Sequence, residues 1–262
     1  MKTFFIIVNP NADHGQAANV WEQVEQILLT RQVKYEAHQT THVGHAKQLI
    51  HLNFGKQKAE NIKDQVVLVV GGDGTLNETF NALKHEAPLE VPLAFIPVGH
   101  NNGFAKGIGI ASDPLVALDQ ILAATEPTYY NVGEYQETTH NEQGYFLNDF
   151  GIGLDAYTIS LNANVHKHMR LRKLLLKLHL NFLAYLINVF TAFLNQEAFA
   201  VTLRIGDKYE FFKHARLVNI ANHPYFENGI ILSPKADIND HQLDLIIADN
   251  LGFFKFLALS IA

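Results

Sequence analysis

The sequence predicts an α/β protein: a parallel, doubly wound sheet followed by a second, β-rich domain. Three observations predict it. Over residues 1–127, apolar runs that end in glycine or Asn-Pro alternate with segments of helical period, the grammar of parallel strands joined by helices. The most apolar of these runs, Val66 to Val70, passes directly into Gly71-Gly-Asp-Gly-Thr75. After Pro127 the pattern changes to short alternating or apolar runs separated by turn residues.

Composition sets the outer bounds. With 262 residues, 48% of them apolar and 18% charged, the chain holds one large domain or two ordinary ones, and disorder is not indicated. A net charge of −6 argues against bulk binding to nucleic acid, which favours a basic surface. The absence of cysteine excludes disulfides, iron–sulfur clusters and thiol catalysis, and allows a reducing cytosol. Met1 to Val8 begins like a signal sequence, but its apolar run, Phe4 to Val8, is short and Asn9-Pro10 ends it without a small-residue cleavage site. A first buried strand is expected there. No uninterrupted apolar run reaches the roughly eighteen residues of a membrane span.

Taken in order, Phe4 to Val8 is a strand and Asn9 to Gly15 a loop. Val20, Val24, Ile27 and Leu28 then recur at helical spacing within Gln16 to Thr30. Val33 to Thr41 is a second strand, and Gly44-His45-Ala46 opens a short helix containing Leu49 and Ile50. The Val66 strand and a helix to about Lys84 follow. Leu93 to Ile96, within Pro92 to Pro97, is a fourth strand; Val98 to Gly107 is a second glycine-rich loop, and Pro114 to Ala124 a helix. Ligands of such a sheet collect at the carboxyl ends of its strands, which places all four loops on one edge. In the second domain, strands are expected at Tyr145 to Phe150, Phe199 to Ile205, Ala215 to Ile220 and Leu243 to Ile247. Between them, Leu171, Leu174, Leu175 and Leu178 recur at helical spacing among Lys167, Arg170, Arg172, Lys173 and Lys177, and no acid occurs from Ala156 to Gln196. This segment either lies on an anionic membrane surface or packs on its own domain with a solvated basic face.

The Val66–Glu78 stretch carries the chemistry. A buried strand feeds a tight turn that opens a helix, so Gly71, Gly72 and Gly74 let the backbone approach a ligand while unpaired N–H groups point at the same spot. Phosphate suits that place. Asp73 stands beside it, where a carboxylate serves a divalent cation accompanying the phosphate. A plainer role is compatible with this one: Thr75 as N-cap and Glu78 three residues later form a capping box.

As a set, the motifs are more specific than singly. They comprise Asn9-Pro10, Thr41 with Gly44-His45-Ala46, Gly71-Gly-Asp-Gly-Thr-Leu-Asn-Glu78, Pro97-Val-Gly99 with Asn102 and Phe104-Ala105, and Asn148 with Gly151-Ile-Gly-Leu-Asp-Ala156. Leu183-Ala-Tyr185, Gly229, Pro234-Lys-Ala236, Asp240 and Leu243-Asp244 complete them. In this order, over essentially the whole chain, they resemble the bacterial diacylglycerol kinase-like lipid kinases, which also resemble sphingosine kinases. The resemblance implies an α/β, parallel doubly wound nucleotide-binding domain (1–127), a β-sandwich domain (128–262), and an active site in the cleft between them. It implies an ATP site lined by Asn9, Thr41, Gly71, Gly72, Asp73, Gly74, Thr75, Glu78 and Asn102, with Asp73 catalytic and holding Mg²⁺ on the transferring phosphates. Asp237 and Asp240, with the carbonyl of Gln242, match a loop expected to bind a structural Mg²⁺; an ordinary Asx turn explains the same residues. The expected substrate is a diacylglycerol-like lipid accepted in the cleft. Expected partners are that lipid, a peripheral membrane contact and a second copy of the chain in a homo-oligomer, with no nucleic acid; the expected location is the cytoplasm, including a membrane periphery.

Departures from the pattern are equally specific. The family reads Gly-Thr-x-Asn-Asp where this chain has Gly99-His-Asn-Asn-Gly103, so a hydroxyl and a carboxylate are missing. An aspartate expected two residues before Gly133 is Asn131. An Asp-Gly-Glu-like segment carrying a candidate general base is not reached by Ala262, so the second domain is expected to be incomplete at its end. Loss of a general base removes a contribution of roughly 10²–10⁴ in rate. His100 is a candidate substitute for that base. These departures keep open a weakened member that binds nucleotide or lipid; an NAD kinase, whose family shares the Gly-Gly-Asp-Gly-Thr turn, is the third reading, against which Leu76-Asn77-Glu78, Gly151-Ile-Gly-Leu-Asp-Ala156 and Pro234-Lys-Ala236 favour the lipid branch. The fourteen histidines, including His166-Lys-His168, lack a metal-ligand framework and are read as surface residues. A Walker lysine loop and a Gly-x-Ser-x-Gly elbow are both absent.

Overall fold

The computed structural model describes residues 2–55, 57, 62, 64–87, 90–99, 102–154, 156–157, 190–226, 231–250 and 252. His100, the basic leucine-rich segment up to residue 189 and the stretch after residue 252 lie outside the described residues. The chain forms two compact units, Met1–Asn148 with Asn222–Gln242, and Asp149–Ala221 with Leu243–Ala262.

The first unit is built on a parallel sheet of β1 (Thr3–Val8), β2 (Lys34–Gln39), β3 (Gln65–Gly71) and β4 (Leu93–Pro97), in the order β2-β1-β3-β4. Because side chains alternate across a strand, the continuous apolar runs of β1 and β3 serve two faces at once. Phe4, Ile6, Val8, Val66, Leu68 and Val70 pack with Trp21, Val24 and Leu28 of α1 (Gln16–Thr30) and Leu118 of α5 (Pro114–Ala123). On the opposite face, Phe5, Ile7 and Val67 pack with Ile50 and Phe54 of α2 (His45–Phe54) and Ala82 and Leu83 of α3 (Asp73–Glu86). The sheet is therefore doubly wound, as its residue pattern requires. A third apolar cluster joins Val69, Phe95 and Leu76 to Leu147, Ile238, and Phe104 and Ala105 of α4 (Gly103–Gly107).

A two-stranded antiparallel ribbon, β5 (Gly133–Glu137) and β6 (Glu142–Phe146), belongs to the same unit. The single strand expected over Tyr145 to Phe150 is interrupted: β6 ends at Phe146 and β7 (Asp149–Gly153) begins afterwards. Asn148 causes the break, because its carbonyl accepts the N–H of Asn222 at 2.8 Å and its side chain turns to other polar groups.

In the second unit, β9 (Lys208–Ala221) is the spine of an antiparallel sheet. Its first part pairs with β8 (Phe199–Ile205), and its later part lies between β7 and β10 (Asp244–Asp249). The first part of β9 was invisible as a strand in the sequence, since Lys208 to Lys213 carries charges among exposed aromatics such as Tyr209 and Phe211. Arg216 of β9 donates to the carbonyls of Phe193 (3.2 Å) and Gln196 (2.6 Å), closing the end of the helical residues 190–195. Among the described residues, no helix is long and apolar enough to cross a membrane.

Candidate active site

The strand order makes β1 and β3 neighbours whose following helices pack on opposite faces, so their loops part and leave a crevice at the carboxyl edge. One hydrogen bond spans it: Asn9 Nδ2 donates to Thr75 Oγ1 at 3.0 Å. Asn9 Oδ1 accepts from the N–H of Asn11, which fixes the amide's orientation. The loops after β3 and β4 are joined by their backbones. Val98 N–H donates to the Gly71 carbonyl at 2.7 Å, and a Cβ on Gly99 would fall 2.8 Å from Gly72 Cα.

Helix α3 begins at Asp73, with extended Gly72 as N-cap and no side chain closing its first turn. Its leading N–H groups are therefore open to a ligand. The expected Thr75–Glu78 capping box is corrected by this geometry. Thr75 is already inside the helix, where its hydroxyl meets Asn9, and Glu78 reaches another helix altogether. The Glu78 carboxylate accepts from the N–H groups of Gly44 (3.3 Å) and Lys47 (3.1 Å), closing the start of α2, which has no cap of its own. Thr41 is exposed just before that helix, its N–H and hydroxyl bonded to His45 and His42.

Asp73 is the centre of the site. Gly103 N–H donates to its Oδ2 at 2.8 Å. Phe104 N–H and the Asn148 side chain donate to the same carboxylate, and the Lys106 ammonium acts on it through space. Burial outweighs these four and holds the carboxyl above its ordinary range. Asp73 Oδ1 is buried and, among the described residues, accepts no hydrogen bond. Asn102, in left-handed conformation at φ 49°, donates through Nδ2 to the Gly99 carbonyl at 2.9 Å, and its own Oδ1 is likewise buried and unbonded.

Behind this carboxylate lies a residue that sequence reasoning placed on the surface. His223 is only 2% exposed, and burial pulls its imidazole down to about 4. It shares a hydrogen bond between Nε2 and Asn148 Oδ1 at 3.1 Å, while Tyr225 N–H donates to Nδ1 at 3.2 Å. No local signal marks it, because nothing in its sequence neighbourhood announces burial. Asn131, at the position of an expected aspartate, is tied by its main chain to Ile238 O (2.9 Å) and to Asn222 Nδ2 (2.9 Å). Asp237 and Asp240 each form an Asx turn: Asp237 Oδ1 accepts from Asn239 N–H at 3.0 Å and Asp240 Oδ1 from Gln242 N–H at 2.8 Å.

The residues fit one kind of metal binding. A magnesium ion brought in by phosphates needs one or two carboxylates and keeps waters for the rest. The unbonded Asp73 oxygen beside an open helix start meets that need. A cage made by the protein alone is not supported, because no group of three or more His, Cys, Asp or Glu side chains gathers among the described residues.

Comparison with known proteins agrees with this architecture. Residues 3–134 match the diacylglycerol kinase catalytic domain family, and residues 158–260 match the YegS C-terminal NAD kinase beta sandwich-like domain. The chain is 29% identical over 256 residues to the "Putative lipid kinase YtlR" of Bacillus subtilis (strain 168), covering 97% of this chain and 80% of that protein. It is 31% identical over 126 residues to the sphingosine kinase B of Dictyostelium discoideum, which covers 47% of this chain and 16% of that protein. The fold matches a crystal structure described as a "putative diacylglycerol kinase" from Bacillus anthracis str. Sterne with a TM-score of 0.69 at 24% identity, over 99% of this chain and 77% of that one. With the catalytic-domain family covering the doubly wound half and the sandwich-like family following it in order, the chain belongs to the diacylglycerol kinase catalytic-domain family of lipid kinases.

Proposed function

We propose that the chain is an ATP- and Mg²⁺-dependent kinase that transfers the γ-phosphoryl group to the hydroxyl of a diacylglycerol-like lipid. One observation carries this reading: the buried Asp73 carboxylate presents an unbonded oxygen where α3 opens, at the crevice between the loops of a parallel sheet. Asn9, Gly71, Gly72, Gly74, Thr75 and Asn102 then form the phosphate-binding edge. Thr41 and Glu78 complete the nucleotide site, Glu78 by fixing the start of α2. Gly74 supports the assignment, since nothing lies within 4 Å of a Cβ built there. Protein packing does not require that glycine, whereas close approach of a phosphate does. When bound, the metal ion neutralises charge on the transferring phosphates. Asp73 would hold it, the α3 N–H groups would orient the phosphates, and Lys106, whose charge acts on Asp73, would add positive charge.

A second reading, a family member that binds nucleotide or lipid with weakened catalysis, is favoured by the two positions that lack the family's carboxylates, Gly103 and Asn131. The deciding experiment measures phosphate transfer from γ-labelled ATP, with Mg²⁺, to diacylglycerol, monoacylglycerol, phosphatidylglycerol and sphingoid lipids in mixed micelles. Transfer that disappears in Asp73→Asn supports the kinase. Thermal stabilisation by Mg²⁺-ATP without transfer to any lipid supports the binding protein.

A further inference from the structure

The polar chain behind Asp73 permits a single arrangement of protons. Tyr225 N–H donates to His223 Nδ1, so that nitrogen is an acceptor and the ring proton sits on Nε2. Nε2–H therefore donates to Asn148 Oδ1 across 3.1 Å. With its oxygen occupied, the Asn148 amide presents its Nδ2 hydrogens in the other direction, to the Asp73 carboxylate. Gly103 N–H fixes Oδ2, and Oδ1 is left as the free acceptor. A backbone amide is thus linked, through two side chains, to the carboxylate whose Oδ2 is held by Gly103 N–H.

The packing holds the imidazole in place for this. A Cβ on Gly107 would stand 3.0–3.2 Å from three atoms of the His223 side chain. One turn earlier, a Cβ on Gly103 would stand 3.5 Å from His223 Cε1 and 3.7 Å from both Asn148 Nδ2 and Asp73 Oδ2. Glycines spaced i and i+4 share a helix face, so α4 lays a bare face against the ring. All three polar side chains converge on the same small volume. The ring's depressed proton affinity agrees with a neutral donor.

We infer that His223 is a positioning residue for phosphoryl transfer: acting through Asn148, it sets the orientation of the Asp73 carboxylate that receives the metal–nucleotide. The inference rests on the kinase reading above and deepens it. Residues that orient a metal ligand characteristically contribute about 10- to 100-fold to affinity or rate. Leucine at 223 fills the space without donating, whereas the side-chain amide of glutamine places an N–H near the position of Nε2.

The test compares wild type, His223→Leu, His223→Gln, Gly107→Ala and Asp73→Asn by kcat, by KM for lipid and by Mg²⁺-ATP affinity with and without lipid. Folding of each is checked by its melting curve, and ¹⁵N chemical shifts of labelled histidine report the ring tautomer. The expected result is an Nε2–H tautomer in wild type. His223→Leu lowers kcat and Mg²⁺-ATP affinity by roughly 10-fold or more with lipid KM unchanged, His223→Gln restores most of the loss, and Gly107→Ala, which displaces the ring, falls between. A folded His223→Leu with unchanged kcat and Mg²⁺-ATP affinity, equal impairment of Leu and Gln variants, or an Nδ1–H tautomer overturns the inference. If transfer is lost in Asp73→Asn but kept in His223→Leu, the kinase reading stands and the inference falls. If wild type transfers to no lipid but His223→Leu still weakens Mg²⁺-ATP binding, the reading falls and the positioning role stands. Wild type showing neither transfer nor Mg²⁺-dependent binding overturns both.

Discussion

The loops that follow β3 and β4 are both rich in glycine and touch each other through Gly72 and Gly99, but they contribute different things. The β3 loop supplies the charge and opens a fourteen-residue helix whose first N–H groups are uncapped. Among its described residues, the β4 loop supplies the N–H groups of Gly103 and Phe104 and a left-handed Asn102. Where the resemblance led to an expected carboxylate in the second loop, this chain has Gly103, and the volume beside it is approached by Asn148 and His223. Under the proposed function, the first loop would bring the carboxylate and the second would orient it through its N–H groups.

The sharpest way to break this division is Asp73→Asn. Phosphate transfer is expected to fall by roughly 10²–10³, the loss seen when one preorganised electrostatic partner is removed. Stability is expected to move the other way. Burial raises the Asp73 carboxyl above 3.8, so the native state binds its proton more tightly than the unfolded chain and ionisation opposes folding. At neutral pH the variant should therefore melt higher than wild type, with the gap closing as the pH falls toward 3.8. An unchanged transfer rate would remove Asp73 from the site.

The shaping side is probed next by pH. His223 titrates at about 4 in the native state against an ordinary 6.5, so the unfolded chain binds the extra proton between those values. Stability is full above pH 6.5 and is lost as the pH falls toward 4, by about 3 kcal/mol in all. Denaturant titrations across that window in wild type and His223→Gln should show the slope in the first and its reduction in the second. A wild-type slope that survives the substitution would assign it to other groups.

Contact between the loops is probed by alanine. At Gly99 a methyl group meets Asn102 Oδ1 at 2.7 Å and Gly72 Cα at 2.8 Å, so Gly99→Ala should cost about 1–3 kcal/mol. Gly74→Ala meets nothing within 4 Å and should be neutral or stabilising by up to about 1 kcal/mol, while weakening nucleotide binding. Equal destabilisation of both would erase the distinction. The smallest effect belongs to the bond across the crevice: Asn9→Ala removes one partner of Thr75 and should cost about 1 kcal/mol in denaturant unfolding.

Much of this arrangement was legible in advance. The doubly wound sheet could be read because strands buried on both faces are written as unbroken apolar runs, and because Gly44 and Pro114 mark where helices begin. Helix α1 has the bounds expected of it, Gln16–Thr30. Strands with one exposed face were harder. In β5, Gly133 to Glu137 has no apolar alternation, and in β9 the pairing of Lys208 to Phe212 with β8 is decided by a partner strand rather than by local pattern. At the site, residues inside the glycine turn stood out because that turn is uncommon. The supporting residue His223 did not stand out, and Asn148 stood out only as a motif residue without a role, since their pairing spans 75 positions. Glu78 was misread for the same reason: its partners Gly44 and Lys47 are distant in sequence, while the capping-box pattern is local.

The division of the first unit into Met1–Asn148 and Asn222–Gln242 bears on how it is made as well as on how it works. Asn222 donates through Nδ2 to the carbonyls of Asn131 and Leu147, and its own N–H goes to Asn148, so the late segment closes hydrogen bonds begun by the early one. During vectorial synthesis the β1–β4 sheet can assemble as soon as it leaves the ribosome, but its carboxylate site remains unfinished until the next hundred or so residues have been translated. The site is thus completed late, by contacts between segments far apart in sequence, and such long-range contacts form slowly.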